Sequence, residues 1–457
     1  MGEPNLRIGL PFWRQGRSRT AQRGVSMSLS QAAPVIIVSA DSHVGPRLRE
    51  DLRAYCPARR LDDYDALIAQ TGPIVNGQAL LGHPNAGPGH YDPAARLADM
   101  DSDGVAAEVI YHGSQNGEPL PWGGSAKFGI GTFDAFDSSL LELSELGCDI
   151  YDRWLADFCS ADPKRLLGLF HIPAWDIGKS VEVVRRAGAA GLTGVNFPVC
   201  GRAGIRPYND PAWDPFWAAC VENGITLHTH GNGAPIFDAA TGPGAEEITI
   251  TDVGGWTSRR AAHYLIYGQV FDRFPGLTLV ITEIEEQWYQ STQWALDSQY
   301  RRFGHTPLKK GLPSAYFPTN IYMGASFMSP AQAVEASRDG YAGNVIWGRD
   351  YPHMEGAHQA GDFAEPVHLV ALRNVMSRVP QHDAVNMAGL NGVRAMGLDG
   401  DYLASVAARI GAPTAERLTT PVESFPEVLP LCMAFAGQSG PRPLDKEEME
   451  RFKLAPR

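Results

Sequence analysis

The stretch Val35-Ile36-Ile37-Val38-Ser39-Ala40-Asp41-Ser42-His43 is an apolar run about as long as one buried strand, and it ends in two potential metal ligands. Because strands buried on both faces carry continuous Val and Ile, this run is typical of a parallel sheet in an α/β protein. Side chains two positions apart on a strand share a face, so Asp41 and His43 point the same way. The pair predicts the first strand of a barrel, with the active site at the C-terminal end of that strand. Taken alone, the nine residues also allow a strand followed by a polar turn, with Asp41 as a cap and His43 in solvent.

Further short apolar segments follow along the chain, and most alternate with helical patterns of about 10–15 residues, which is typical of a parallel sheet built from βαβ units. These segments are 105–111, 165–173, 193–198, 225–231, 277–283, 320–323 and 345–350. About eight strands therefore lie between residues 35 and 350. They predict an α/β fold, a (β/α)8 TIM barrel with elaborated loops and a C-terminal extension.

The chain is predicted to consist of three parts. Residues 1–34 are rich in Arg, Ser and Gln and lack a long apolar run, which indicates a disordered arm; a targeting peptide and a true start at Met27 are alternatives. Residues 35–400 form the barrel domain. Residues 401–457 form an extension that packs on the barrel or on a partner subunit.

Composition excludes several classes of protein. Hydrophobic residues make up 44% and charged residues 20%, as in ordinary globular enzymes. The net charge of −12 argues against a nucleic-acid partner. No run approaches the roughly 18 apolar residues needed to cross a membrane. The six cysteines are scattered, without a C-x-x-C pair, which is typical of reduced thiols and predicts a cytoplasmic enzyme.

Potential metal ligands recur at the ends of the predicted strands. Imidazole and carboxylate groups together suit Zn²⁺, and also Mn²⁺ or Fe²⁺. The residues in these positions are Asp41, His43, His228, His230, Glu283, Asp350 and His353. A single histidine at a strand end is usually an ordinary polar residue, but their recurrence in barrel order predicts a metal site.

The sequence resembles the amidohydrolase-related superfamily, in the branch that includes aminocarboxymuconate-semialdehyde decarboxylase and γ-resorcylate decarboxylase. The matching segments are S-A-D-S-H-V (39–44), R-L-A-D-M-D-S-D-G-V (96–105), residues 163–173, D-P-A-W-D-P-F-W (210–217), H-T-H-G-N-G (228–233), F-P-G-L-T-L-V-I-T-E (274–283) and W-G-R-D-Y-P-H (347–353). The resemblance implies a metal-dependent barrel enzyme that acts on a small carboxylate, amide, ester or lactone. It also implies a homodimer.

Four ligands are carried over from the resemblance. Asp41 and His43 match the ligands of the first strand, and Asp350 matches the aspartate of the last. The middle ligand is His230 or His228, and spacing from Gly224 favours His230. Because no Lys near residues 194–196 could bridge two metals after carbamylation, one divalent ion is expected, with Zn²⁺ ahead of Mn²⁺ or Fe²⁺.

Glu283 departs from the family pattern, since decarboxylating relatives place a His there. Near a cation, a glutamate is expected to be ionised and to act as a base. An alternative is a structural ion pair with Arg301 or Arg349.

The residues then predict a hydrolase that cleaves an amide, ester or lactone of a small organic acid. Its cation activates a water, and Asp350 or Glu283 accepts the proton. His353 and His112 are candidates for substrate contact, with His353 included in the catalytic set. The alternatives are a non-oxidative decarboxylase of an aromatic or unsaturated acid, and a non-catalytic binding barrel.

Overall fold

The computed structural model describes residues 33–71, 87–123, 141–198, 205–231, 243, 258–284, 288–359, 362–428 and 432–435. The arm predicted for residues 1–34 therefore lies almost wholly outside the described residues, as do residues 436–457 of the predicted extension. Within the described ranges, no helix has the length and apolar character needed to span a bilayer.

Short parallel strands form a single sheet, and they are almost entirely buried because both faces of the sheet are covered. In chain order they are β1 (Val38–Ser39), β2 (His43–Val44), β3 (Ala107–His112), β4 (Leu166–His171), β5 (Gly194–Asn196), β6 (Thr226–His230), β7 (Leu279–Thr282), β8 (Ile321–Ala325) and β9 (Val345–Trp347). Both β1 and β2 pair with β3, so they are two parts of one strand. The order around the sheet is β1-β3-β4-β5-β6-β7-β8-β9.

The sheet closes where its first strand meets its last. The backbone N–H of Ala40 donates to the carbonyl of Trp347 at 2.7 Å, and the N–H of Asp350 donates to the carbonyl of Asp41 at 3.1 Å. Eight parallel strands thus form the barrel that the sequence predicts, and that prediction is confirmed.

Helices follow most strands and cover the outside of the barrel. They are Leu61–Thr71, Pro93–Ser102, Leu141–Cys159, Ile177–Ala189, Asp214–Glu222, Arg260–Tyr267, Val270–Arg273, Trp288–Phe303, Phe317–Asn320, Pro330–Asp339, Val367–Met376, Gln381–Val385, Asn391–Ala395, Gly400–Arg409 and Ala415–Leu418. The helix Pro330–Asp339 shows how local sequence sets these bounds. Ser329 and Gln332 form a capping box at its start, and Gly340, with a φ of 84°, ends it.

The helix Gly400–Arg409 closes the N-terminal end of the barrel, opposite the strand ends that carry the potential ligands. Its side chains Leu403, Val406 and Ala407 are buried in one cluster with residues from the starts of several strands, among them Ile36, Val38, Ala107, Leu167 and Ile346. The N–H of Val35 also donates to the carbonyl of Pro413 at 2.8 Å. The first part of the C-terminal region therefore belongs to the barrel core.

Candidate active site and metal centre

The potential ligands converge at the C-terminal end of the barrel. Asp41 and His43 end the first strand, His230 ends β6, Glu283 follows β7 and Asp350 follows β9. These parallel strands all point the same way, so their ends bring residues distant in sequence together. Asp41, His43 and Asp350 have no exposed surface, and the side chain of Glu283 is 9% exposed.

Asp41 lies at the centre of this group. Its Oδ1 is 3.2 Å from His43 Nε2 and 3.3 Å from His230 Nε2. On the other side of His230, the Nε2 atom is 3.0 Å from Glu283 Oε2. Asp41, His43, His230 and Glu283 each present one ligand atom, and these atoms lie within 4.8 Å of one another.

Backbone carbonyls orient both histidines. The Nδ1–H of His43 donates to the carbonyl of His112 at 3.1 Å, and that of His230 donates to the carbonyl of Gly231 at 2.7 Å. Since each Nδ1 is used in this way, each Nε2 faces the carboxylates. A carbonyl partner of this kind fixes the tautomer of a metal-ligating histidine. The Ser326 hydroxyl similarly holds the second oxygen of Asp41.

Asp350 and His353 form the other side of the site. Asp350 Oδ1 is 3.3 Å from His43 Nε2 and 2.9 Å from His353 Nδ1. The His353 ring stacks on the His43 ring with centroids 3.9 Å apart. Its Nε2–H donates to the carbonyl of Gly113 at 2.7 Å, which leaves Nδ1 facing Asp350.

Glu283 and Asp350, which follow β7 and β9, both have left-handed backbone conformations. The φ angle is 52° at Glu283 and 51° at Asp350. Such a conformation in a non-glycine residue costs about 1–3 kcal/mol and is common at functional sites. Gly231 makes room for the backbone of Glu283, because a Cβ at position 231 would lie 1.9 Å from the Glu283 carbonyl oxygen.

The acidic and imidazole groups change each other's ionisation. Burial opposes charge on Asp41, but His230 and His43 hold its pKa well below the ordinary value. Burial likewise opposes charge on His230 and His353, but neighbouring carboxylates raise the pKa of His230 well above its ordinary value and that of His353 to about 10. The pKa of Glu283 is raised by burial and by Asp350, against the effect of His230.

These residues fit a divalent cation. Three buried carboxylates need compensating positive charge, and two histidines present Nε2 atoms whose tautomers are already fixed. Oxygen and imidazole donors together suit Mn²⁺, Zn²⁺ or Fe²⁺.

The other predicted site residues lie apart from this group. His228 is on β6 one layer deeper in the barrel, where its Nε2 is 2.7 Å from Thr226 Oγ1, and burial lowers its pKa to about 3. It is outside the ligand group. His112 contributes its carbonyl to His43, while its ring packs against Tyr151 with centroids 5.1 Å apart.

Glu283 does not pair with Arg349, as one alternative proposed. Arg349 is fully buried behind the site, where its Nη2 donates to Glu108 Oε2 at 2.7 Å and its Nη1 donates to Asp103. Arg96 holds the other oxygen of Glu108 at 2.6 Å and also donates to the carbonyl of His43. This triad of Arg96, Glu108 and Arg349 joins β3 to the backbone of the first and last strands beneath the ligands.

Glu355 was missed in the sequence. It lies two residues after His353, and its carboxylate forms a group with those of Glu283 and Asp350, with ligand atoms within 4.8 Å of one another. The signal that could have found it is an acidic residue on the same loop as Asp350.

A sequence profile described as amidohydrolase matches residues 126–372 of the 457. The chain belongs to the amidohydrolase family. The resemblance inferred from the motifs is thereby confirmed. A search of curated proteins found none that matches this amidohydrolase family member.

Solved structures share its fold at low identity. A 5-carboxyvanillate decarboxylase from Novosphingobium aromaticivorans with bound manganese is 18% identical, with a TM-score of 0.54 over 80% of this chain and 98% of that one. An amidohydrolase from Mycobacterium avium subsp. paratuberculosis is 18% identical, with a TM-score of 0.52 over 81% and 99%. A dihydroxybenzoic acid decarboxylase from Polaromonas, with manganese and 2-nitroresorcinol, is 16% identical, with a TM-score of 0.51 over 81% and 99%.

Proposed function

We propose that this amidohydrolase family member is a metal-dependent decarboxylase, which removes CO2 from a small aromatic or unsaturated carboxylic acid without an oxidant. The proposal reverses the order expected from the sequence, where hydrolysis came first. Two of the structures with the same fold are decarboxylases that contain manganese. Manganese is accordingly the proposed cation, and the carboxylate-rich ligand set suits it.

The position of Glu283 carries the proposal, because its nearly buried side chain faces the ligand group with Oε2 3.0 Å from His230 Nε2. The sequence predicts an ionised base, which is a poor proton donor to carbon. In the structure, burial and the Asp350 carboxylate raise the pKa of Glu283, so this side chain holds a proton more readily than an exposed glutamate. Decarboxylation requires one proton at the carbon that loses CO2, and a carboxylic acid tuned towards neutrality is suited to donate it.

Burial of the site supports the same reaction. Asp41, His43, His230 and Asp350 would hold the cation, which supplies Lewis-acid stabilisation of negative charge when bound. Loss of CO2 leaves negative charge on the carbon that carried it, and the proton of Glu283 neutralises this charge while Glu283 becomes a carboxylate. Because the site is buried, charge on that carbon would be stabilised more strongly there than in water.

Hydrolysis is the second candidate, because of the pair formed by Asp350 and His353. Their 2.9 Å contact joins a carboxylate to an imidazole that is protonated near neutral pH, so Asp350 would accept the proton from water and His353 would orient Asp350.

Product analysis distinguishes the two. The manganese-loaded protein is incubated in D2O with hydroxybenzoic and unsaturated acids, and in parallel with esters, amides and lactones. A decarboxylase releases CO2 and leaves deuterium on the carbon that carried it. We expect Glu283→Gln, which cannot donate this proton, to lower kcat by roughly 10²–10⁴-fold.

The experiment uses loaded enzyme because a cation, like His230, opposes the rise in the Glu283 pKa. Metal content is measured on each preparation so that a loss of cation is not mistaken for a loss of the acid. Hydrolysis of an ester, amide or lactone without CO2 release from any acid would make the second candidate correct.

A further inference from the structure

A groove between the helices Leu141–Cys159 and Ile177–Ala189 contains a cavity of about 310 Å³. The described residues that line it come from both helices, from the end of β4 and from the turn at residues 59 and 60, and none of them belongs to the ligand group. Asp152 and His171 line its buried part, whereas Lys179 and Arg186 are about half exposed at its mouth. The cavity is therefore separate from the metal centre.

Asp152 and His171 form a pair in the buried part of this cavity. The backbone N–H of His171 donates to Asp152 Oδ1 at 3.1 Å, and His171 Nδ1 lies 3.4 Å from the same oxygen. When Nδ1 carries the hydrogen and faces the carboxylate, Nε2 is a hydrogen-bond acceptor. The pair then offers two further acceptors, Asp152 Oδ2 and His171 Nε2.

Neither of these two acceptors has a hydrogen-bond donor among the described residues. The side chain of Asp152 is 1% exposed and that of His171 is 5% exposed. Arg186 Nη2 lies 4.0 Å from Asp152 Oδ2, which allows a weak ion pair but no hydrogen bond. Burial raises the pKa of Asp152 against the effect of His171, because its charge is not fully compensated. Two such acceptors beside a cavity point to a ligand that carries hydrogen-bond donors.

The geometry argues against a metal ion as that ligand. Cys148 lies one helical turn before Asp152 and lines the same cavity, and a thiolate, a carboxylate and an imidazole together would suit Zn²⁺. Within the described part of the chain, however, Cys148, Asp152 and His171 do not bring their ligand atoms within 4.8 Å of one another, as the group around Asp41 does. Burial and nearby acids also raise the pKa of the Cys148 thiol well above its ordinary value, so the thiol stays protonated.

The charges at the mouth favour a cationic ligand over an anionic one. Lys179 Nζ donates to Glu145 Oε2 at 2.5 Å, and Arg186 Nη1 donates to Asp149 Oδ1 at 2.6 Å. Because these two cations already have acidic partners, they are poorly placed to bind an anion. A cation that enters the cavity would instead meet the buried carboxylate of Asp152.

We propose that this cavity binds a small primary amine, whose ammonium group donates to Asp152 Oδ2 and His171 Nε2. A primary ammonium has three N–H donors, and its hydrogen bond to a carboxylate is charge-assisted. Leu146, Pro173 and Val183 also line the cavity and provide apolar contacts for the stem of the amine. This binding does not depend on the reaction that the metal centre catalyses.

Calorimetric titration tests the proposal. The full chain, loaded with Mn²⁺, is titrated at pH 7.5 with butylamine and with benzylamine, and then with butanol and benzyl alcohol, which have the same stems without the charge. We expect at least one of the amines to saturate at one molecule per chain, and both alcohols to bind at least tenfold more weakly. Wild-type protein that binds neither amine, or that binds the alcohols equally well, would overturn the proposal.

Asp152→Asn keeps the shape of the side chain and removes its charge, so we expect it to weaken amine binding by roughly 10–100-fold. Asp157→Asn is the matched control, because Asp157 is exposed on the same helix and does not line the cavity, and it should bind the amine as the wild type does. Circular dichroism checks that each variant is folded. His171→Leu removes the other acceptor and should also weaken binding, so it tests the same site if Asp152→Asn does not fold. A folded variant at either position that binds the amine as tightly as the wild type would place the amine elsewhere and refute the assignment.

Discussion

His228 and His230 show how two identical side chains on one strand acquire different chemistry. His230 has its Nδ1–H on the Gly231 carbonyl and its Nε2 among carboxylates, whereas His228 contacts Thr226 and lies deeper. The first environment favours a positively charged partner at Nε2, and the second favours a neutral ring. The carbonyl partner and the nearby acids determine this difference, since the two residues point the same way from the strand.

We therefore expect His230→Ala to lose the bound cation and His228→Ala to retain it. Removing His230 takes away one of few ligands, while His228 contributes none. Elemental analysis of both variants after dialysis against Mn²⁺ measures the effect, and circular dichroism checks that each is folded. Loss of metal from His228→Ala alone would move the ligand to the deeper position.

At the scale of strands and helices, the triad of Arg96, Glu108 and Arg349 holds the site together from behind. It is fully buried, and it connects β3 to the residues on either side of the ligands. A buried ion pair is poor evidence of net stability, but breaking one leaves an uncompensated charge. Here two arginines share one glutamate.

Glu108→Gln should consequently lower the free energy of unfolding by about 3–5 kcal/mol, the usual effect of removing one partner from a buried ion pair. Urea unfolding followed by circular dichroism measures it. Asp65→Asn is the matched control: it breaks the exposed pair with Arg53, and exposed pairs contribute little. Equal effects of the two substitutions would show that the triad does not stabilise the fold.

The strands and the acidic and histidine residues that end them could be located from the sequence because they leave local signals. Apolar runs mark buried strands, and Asp41, His43 and Asp350 stand at or just after the ends of such runs. The position of Glu355 beside Glu283 and Asp350 could not be predicted, since it depends on how the loop after β9 turns back. The raised pKa of Glu283 was equally beyond the sequence, because it results from burial and from Asp350, against the effect of His230, and both residues come from other strands.

Across the whole molecule, buried neutral histidines should determine how the fold responds to acid. Burial lowers the pKa of His228 to about 3 and that of His368 to about 4. Both values lie below the roughly 6.5 of an unfolded histidine. The unfolded chain therefore binds more protons as pH falls below 6.5, so stability rises with pH in this range and is lost on acidification.

Acidification from pH 6.5 to 5, a range above that in which most carboxylates titrate, should lower the free energy of unfolding by about 2 kcal/mol for each of these two histidines. Urea unfolding of the metal-free protein at several pH values measures the slope, to which His230 and His353, with raised pKa values, contribute with the opposite sign. His368→Gln should flatten it, and His382→Gln, whose side chain is 74% exposed, should leave it unchanged. A slope that is the same in all three proteins would assign the acid sensitivity to other groups.

The N-terminal arm remains a prediction at the same scale. The first described contact of the chain with its C-terminal region is the bridge between Pro34 and Thr414. A chain that starts at Met27 keeps this bridge and the whole first strand, so its thermal midpoint and activity should equal those of the full chain. A lower midpoint in a thermal melt would show that residues before Met27 contribute to the fold. The homodimer also remains a prediction, and light scattering of the full chain measures it.

The closure of the barrel between Ala40 and Trp347 has a consequence for how the protein is made. A ribosome synthesises the strand that begins at Val35 first, but its hydrogen-bonding partner in β9 comes more than 300 residues later. Until then, one edge of that strand lacks its neighbour, and exposed strand edges invite wrong pairing. Met433, which donates its N–H to the carbonyl of Glu355 at 2.8 Å, is made later still. The nascent chain therefore cannot complete this site until β9 and Met433 have been made, and a chaperone that shields the early strands would raise the yield of native enzyme.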